Sequence, residues 1–281
     1  MMVAPVQVML GGFILLPALY VGWLSFYESS FGLAANYVGL ENYIRLFTDP
    51  QFWRAFWNTF FIVNVVVYGE LAIALGMATL FVAGVPLRRL MISIVLMPYA
   101  VSPVLAVVMW KFMLTPEIGI VNYTLTQLGI PPILWASNPT HGIIVIILLS
   151  IWLHTPFTFI ITYSAMLAIP KELYEAGRID GAGPFPLFWR ITIPIIMPAI
   201  FIALMFRYVF AFRIFSEVWI LTRGGPVNLT ETLAIYLYRF GFRYHEWGLA
   251  SAASWMMVLF TALITAYYFR LMYKQMFAAD V

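Results

Sequence analysis

The chain has 281 residues, no cysteine and a formal net charge of +3, and 63% of its residues are hydrophobic against only 10% charged. Soluble domains sit near half apolar and a quarter charged, so this composition excludes an ordinary water-soluble globule and indicates an integral membrane protein. The lack of thiols excludes disulfides and cysteine-based metal sites, and neither a metal nor a nucleic-acid partner is expected.

In chain order, apolar stretches lie near 5–27, 58–83, 90–113, 142–165, 198–221 and 249–270. Each is long enough to cross about 30 Å of hydrocarbon as a helix of about 20 residues. They are continuously apolar and about twice as long as the alternating segments of a membrane β-barrel. The expected fold is therefore all-α: a polytopic bundle of about six transmembrane helices forming a single domain over 1–281, with a long fourth connector at 166–197. No Lys or Arg precedes the first stretch, and its apolar run exceeds that of a secretory signal, so it is read as a retained span.

The connectors near 28–57, 114–141 and 222–248 are rich in aromatic, Asn, Pro and Gly residues and are long enough to build a docking face. Trp53, Trp57, Trp135 and Trp247 within them also suit a water–lipid boundary. The second span carries Asn64 and Glu70. After it comes the short connector "GVPLRRL", with Arg88 and Arg89. Basic residues divide seven to six between the two sides, a weak asymmetry, but the Arg pair falls in the shortest loop, where the positive-inside rule has most force. Both termini and the fourth connector are accordingly expected in the cytoplasm.

That fourth connector reads "YEAGRIDGAGPFPLFWRITIP" over 174–194. Pro170 can open a helix, Lys171 to Ala182 can continue it, and Pro184 and Pro186 forbid extension. Leu173, Ala176, Gly177, Asp180 and Gly181 fall on one helical face made mostly of small residues, which would let a partner surface approach closely; Glu175 and Arg178 lie beside it. A helix lying on the membrane surface is the alternative, but such helices want a basic polar face opposite a bulky apolar one.

The fifth span holds Arg207, Arg213, Ser216, Glu217 and Trp219. Ionisable residues inside hydrophobic spans are costly and mark functional candidates. Arg213 and Glu217 are four apart and would pair on an unbroken helix, a purely structural bridge, with Arg207 reaching another helix or Glu70. With Arg207 and Ser216, they would otherwise line a polar path, along which Asn64, Ser102, Tyr163 and Trp219 could hydrogen-bond or stack against a polar solute. A guanidinium fork there would suit a carboxylate, sulfonate or phosphate.

Glu175, Ala176 and Gly177, then Gly181, then Ile191, Ile193 and Pro194 after a nine-residue interval, resemble the "EAA…G…I.LP" signature of ABC importer permeases, with Gly177 for the usual second Ala and Ile193 for the usual Leu. "VGLENYIRLFTDPQFWRAFWNTF" (38–60) and "LTRGGPVNLTETLAIYLYRFGF" (221–242), followed by "GLASAASW", are similar to segments of the maltose/glycerol-phosphate group of carbohydrate permeases. The fifth span departs from that group's "R..W.FN.FD", with Arg213 where Asn is common and Ser216 where Asp is common.

The resemblance implies a coupling helix that carries Glu175, Ala176, Gly177, Arg178, Asp180 and Gly181, with Ile191 and Pro194 behind it. It implies partners: a second, different permease, two copies of an ABC ATPase and an extracytoplasmic binding protein. It implies import of a sugar or sugar derivative, an anionic one included, across a bacterial inner membrane. The chain has no G-x-x-x-x-G-K-[ST] loop, so ATP and Mg would be held by the partner ATPase, with no cofactor on this chain and no enzymatic activity of its own. His141, His154 and His245 are isolated, and no H-E-x-x-H motif supports an intramembrane hydrolase. A secondary transporter or channel for a small polar solute fits the span count but leaves the fourth connector unexplained.

Overall fold

A computed structural model describes residues 4–30, 35–116, 118–131, 134 and 137–277; Trp135 lies outside them. The chain runs through α1 (Ala4–Leu24), a small antiparallel pair β1 (Tyr27–Glu28) and β2 (Asn36–Tyr37), α2 (Glu41–Thr48), α3 (Pro50–Ala83), α4 (Arg88–Ala100) and α5 (Pro103–Met113). Then follow α6 (Ile120–Gln127), α7 (Pro139–Leu167), α8 (Lys171–Ile179), α9 (Pro184–Leu187), α10 (Ile193–Ala211), α11 (Ser216–Leu221), α12 (Leu233–Tyr238) and α13 (Trp247–Phe277). Widened π turns at Phe188–Thr192 and Arg239–Arg243 join α9 to α10 and extend α12. The first of these falls just before Pro194, which has no N–H to donate to the carbonyl four residues back.

Among the described residues, five helices are long and apolar enough to cross a membrane, the fourth being the continuous run Pro184–Ala211. The α4–α5 pair, bent by 96°, makes a sixth if it is one broken span. The apolar run near 90–113 is thus not one straight helix. Pro103 disfavours helical backbone at Ser102, whose ψ is 132°, and Val101 is likewise extended.

Local punctuation also moves other boundaries. Asp49 caps α3 by accepting from Gln51 N at 2.8 Å, with Pro50 in the first turn, so this helix begins eight residues before the apolar run at 58. Asn138 caps α7 in the same way, ahead of Pro139. The fifth apolar run is broken: α10 ends at Ala211, and the chain turns through Phe212–Phe215 before α11.

The bundle is centred on α3 and α7, which pack along most of their length. Ala74 and Ala78 of α3 are fully buried, and a Cβ at Gly69 would sit 2.8 Å from Ile151 Cδ1, so small residues set how closely these two helices approach. One apolar cluster joins Val67, Phe81, Phe159, Ile196, Leu204 and Tyr208 across α3, α7 and α10. A second joins Ile62, Val107, Ile146, Leu149, Val218 and Ile235 across α3, α5, α7, α11 and α12.

At the end of the bundle formed by α2, α12 and the start of α3, the long connectors are stapled together. Tyr236 OH donates to Asp49 Oδ2 at 2.7 Å, Gln51 Nε2 donates to Glu231 Oε2 at 2.7 Å, and Leu233 N donates to Thr59 Oγ1 at 2.8 Å. Asn42 Nδ2 donates to the carbonyls of Ser25 and Tyr27, and Gly248 packs so tightly that a Cβ would lie 2.0 Å from Tyr27 O. The connectors near 28–57 and 222–248 are therefore tied into one layer.

Candidate functional site

Two places in this fold hold the residues singled out by sequence. The first is α8. It stops at Ile179, three residues short of the expected Ala182, because Gly181 adopts a left-handed backbone with φ +77°. There Gly181 N donates to Arg178 O and Ala182 N donates to Gly177 O, closing the helix end. Gly181 thus terminates the helix, and a Cβ added to it would meet open space, so it is the left-handed backbone that calls for glycine here.

Gly177 also has a different role from the expected one. A Cβ on it would lie 2.6 Å from Leu187 Cδ2 and 3.2 Å from Ile191 Cδ1, so this glycine admits the chain's own following segment. Tyr174 OH shares a 2.9 Å hydrogen bond with Thr192 Oγ1. The helix is therefore clamped by one flank onto the segment that feeds α10, near Ile191 and Pro194. Its opposite side is exposed: Glu175, Ala176, Arg178, Asp180 and, most of all, Ile179 at 86%.

The second place is a cavity of about 380 Å³ between α3, α4, α7, α10 and α11. Of the residues singled out by sequence, Arg207, Arg213, Ser216 and Glu217 line it. Both helix breaks border it, with Val101 and Pro103 on one side and Ile214 and Phe215 on the other. A broken helix exposes unpaired backbone, which is tolerated at membrane depth only against protein or a polar cavity.

The charges pair differently from the i, i+4 expectation. Arg207 Nε and Nη2 donate to the two oxygens of Glu70 at 2.6 and 2.7 Å, and both side chains are almost fully buried. Glu217 does not pair with Arg213, because Arg213 lies in the turn at Phe212–Phe215 and Glu217 on α11 beyond it. Its Oε1 lies 3.5 Å from His154 Nε2 on α7. Arg213 is exposed and makes no ion pair or side-chain hydrogen bond among the described residues.

Other candidates lie elsewhere. Asn64 accepts from Tyr208 OH at 2.7 Å and donates to Phe60 O, outside the cavity lining. Trp219 stacks on Phe215 at 5.8 Å and meets Tyr238 edge-on at 4.7 Å. Tyr163 receives a 2.5 Å hydrogen bond from Arg88 Nε, and Ser102 stands at the α4–α5 break without lining the cavity. Conversely, His154, Ser150 and Tyr99 line the cavity and were missed. A histidine inside a hydrophobic span is the signal that would have found His154, by the rule that already selected Glu70.

Outside the spans, the connector layer carries two perturbed groups among the described residues: burial, reinforced by the hydrogen bond to Asp49, pushes the Tyr236 phenol well above its ordinary value, and Glu231 is the second. Burial pushes the Glu231 carboxyl above its ordinary value, opposed by the hydrogen bond from Gln51 and by Arg239, whose Nη1 donates at 3.1 Å.

A family model described as binding-protein-dependent transport system inner membrane component matches residues 70–275. The sulfoquinovosyl glycerol transport system permease SmoG of Agrobacterium fabrum is 33% identical over 96% of this chain and 89% of its own. The sn-glycerol-3-phosphate transport system permease UgpA of Salmonella typhimurium is 33% identical over 96% of this chain and 92% of its own. The trehalose/maltose transport system permease MalF of Thermococcus litoralis is 31% identical over 90% and 86%. In fold, the chain is similar to one in a bacterial alginate ABC transporter, with TM-score 0.83 and 23% identity over 95% of this chain and 91% of that one.

Proposed function

The chain belongs to the binding-protein-dependent transport system inner membrane component family, and from that membership we propose that it carries a sugar or sugar derivative as one permease of an ATP-driven ABC importer. Relatives named for glycerol-phosphate, sulfoquinovosyl glycerol and trehalose/maltose transport support that cargo class. In this reading an extracytoplasmic binding protein delivers the cargo onto the stapled connector layer. A second, different permease completes the path, and two copies of a separate ATPase hold ATP and Mg. Both termini, Arg88, Arg89 and α8 face the cytoplasm.

One observation carries the mechanism: α8 is clamped through Tyr174, Thr192, Gly177 and Leu187 to the start of the run Pro184–Ala211, whose far end bears Arg207 at the cavity. At 1.5 Å per residue that run is roughly 40 Å long, the scale of the membrane itself. ATP-driven closure of the ATPase pair would seize the exposed side of α8, with Glu175, Ala176, Arg178, Ile179 and Asp180 in contact. Because Tyr174 and Gly177 leave no slack, α10 must follow, and the cavity formed by α3, α7 and α11 against it changes shape. The helix breaks at 101–102 and 212–215 would let the cavity wall open without unwinding a continuous helix.

The test is reconstitution of the whole complex in liposomes with a panel of sugar-loaded binding proteins. ATP hydrolysis should rise several-fold with one class of loaded protein, and uptake should require ATP. Uptake that proceeds without ATP and follows an ion gradient would instead make the chain a secondary transporter.

A further inference from the structure

Arg207 and Arg213 both reach the cavity, but their charges are disposed of differently. Arg207 is neutralised by a bidentate contact with Glu70. The one carboxylate among the described lining residues is Glu217, which turns to His154 at 3.5 Å. Four residues apart on an intact helix, Glu217 would have satisfied Arg213. The turn at 212–215, closed by bonds from Arg213 N to Phe210 O and from Ile214 N to Ala211 O, prevents this.

A guanidinium keeps its charge at any physiological pH, and a charge at membrane depth needs a counterion or water. Ser150 on α7 also borders the cavity, but at 1% exposure its Oγ is shut off from it. The volume, about 380 Å³, lies at the small end of the range for small-molecule pockets.

We propose that Arg213 is a specificity residue that holds the anionic group of the cargo, and that the cargo is a small glycoside bearing a carboxylate, sulfonate or phosphate. This rests on the reading of the cavity as part of the transport path. A neutral sugar would leave Arg213 uncompensated, whereas an anionic one supplies a planar or tetrahedral acceptor for its fork of donors.

The test uses the complete transporter in lipid nanodiscs and three probes of nearly equal size: methyl α-D-glucopyranoside, its 6-sulfonate analogue and methyl α-D-glucuronide. Saturation-transfer NMR gives their affinities. The two anions should bind wild type about tenfold more tightly than the neutral glycoside, the gain of one charge-assisted contact. Arg213→Gln should bring all three to parity, while Arg213→Lys keeps part of the preference.

Equal affinity in wild type, or a preference that survives Arg213→Gln, overturns the proposal and assigns Arg213 a counter-charge from the second permease. If Arg213→Gln fails to assemble, the wild-type comparison and Arg213→Lys still decide. Binding of none of the three probes overturns the transport-path reading and this inference with it, whereas equal binding overturns this inference alone.

Discussion

Arg207 on α10 grips both carboxylate oxygens of Glu70 on α3, at 2.6 and 2.7 Å, across 137 residues of sequence, with both side chains almost fully buried. Removing one partner would strand a buried charge, which costs about 3–5 kcal/mol, whereas replacing both with apolar residues of similar volume is often neutral or better. Glu70→Leu or Arg207→Met alone should sharply lower the melting temperature of the detergent-solubilised protein. The double variant Glu70→Leu/Arg207→Met should recover most of the loss. A double variant as unstable as the singles would mean that the pair is not the reason for their instability.

The two glycines of the coupling region should respond differently. Gly181→Asn, a residue that tolerates left-handed backbone, should keep transport, while Gly181→Leu should cost about 1–2 kcal/mol at the helix end. Gly177→Leu would drive a side chain into Leu187 and Ile191, shifting α8 off α10. Its expected signature is loss of uptake greater than loss of ATPase co-purification. Equal effects from Gly177→Leu and Gly181→Asn would sink the assignment of α8 as a clamped lever.

Sidedness is checked by single cysteines, since the native chain has none. Arg89→Cys and Arg178→Cys should react with an impermeant maleimide only from the cytoplasmic side, and Glu41→Cys and Val227→Cys only from outside. All four positions are exposed on the chain itself, and Arg178→Cys is labelled after the ATPase has been removed, since α8 is the surface it would cover. The reverse pattern would invert the orientation.

Glu231 predicts a pH dependence of the connector layer. Its folded-state value is raised, so the folded protein holds this proton more tightly than the unfolded chain does. The resulting contribution to stability is full below the ordinary carboxylate value of about 4.3 and is lost as pH rises through the raised folded value. Glu231→Gln should flatten this part of a melting-temperature profile between acid and neutral pH. An unchanged profile would remove Glu231 as its source.

What the sequence determined is everything that rests on local rules: a helical membrane bundle from the length of its apolar runs, and a short proline-bounded helix between the fourth and fifth of them. The coupling-loop resemblance was legible for the same reason, because its residues lie within 20 positions of one another. What only the tertiary structure decided is where each side chain finds its partner. Spacing pairs Arg213 with Glu217 only if one helix runs through both, and the turn at 212–215 gives Glu217 to His154 while Glu70 takes Arg207. Gly177 reads as room for another protein until Leu187 and Ile191 are seen to fill it. In hydrocarbon a buried charge must be matched wherever a counter-charge can reach it, so long-range packing, which sequence spacing does not encode, sets the pairs and leaves Arg213 facing the cavity.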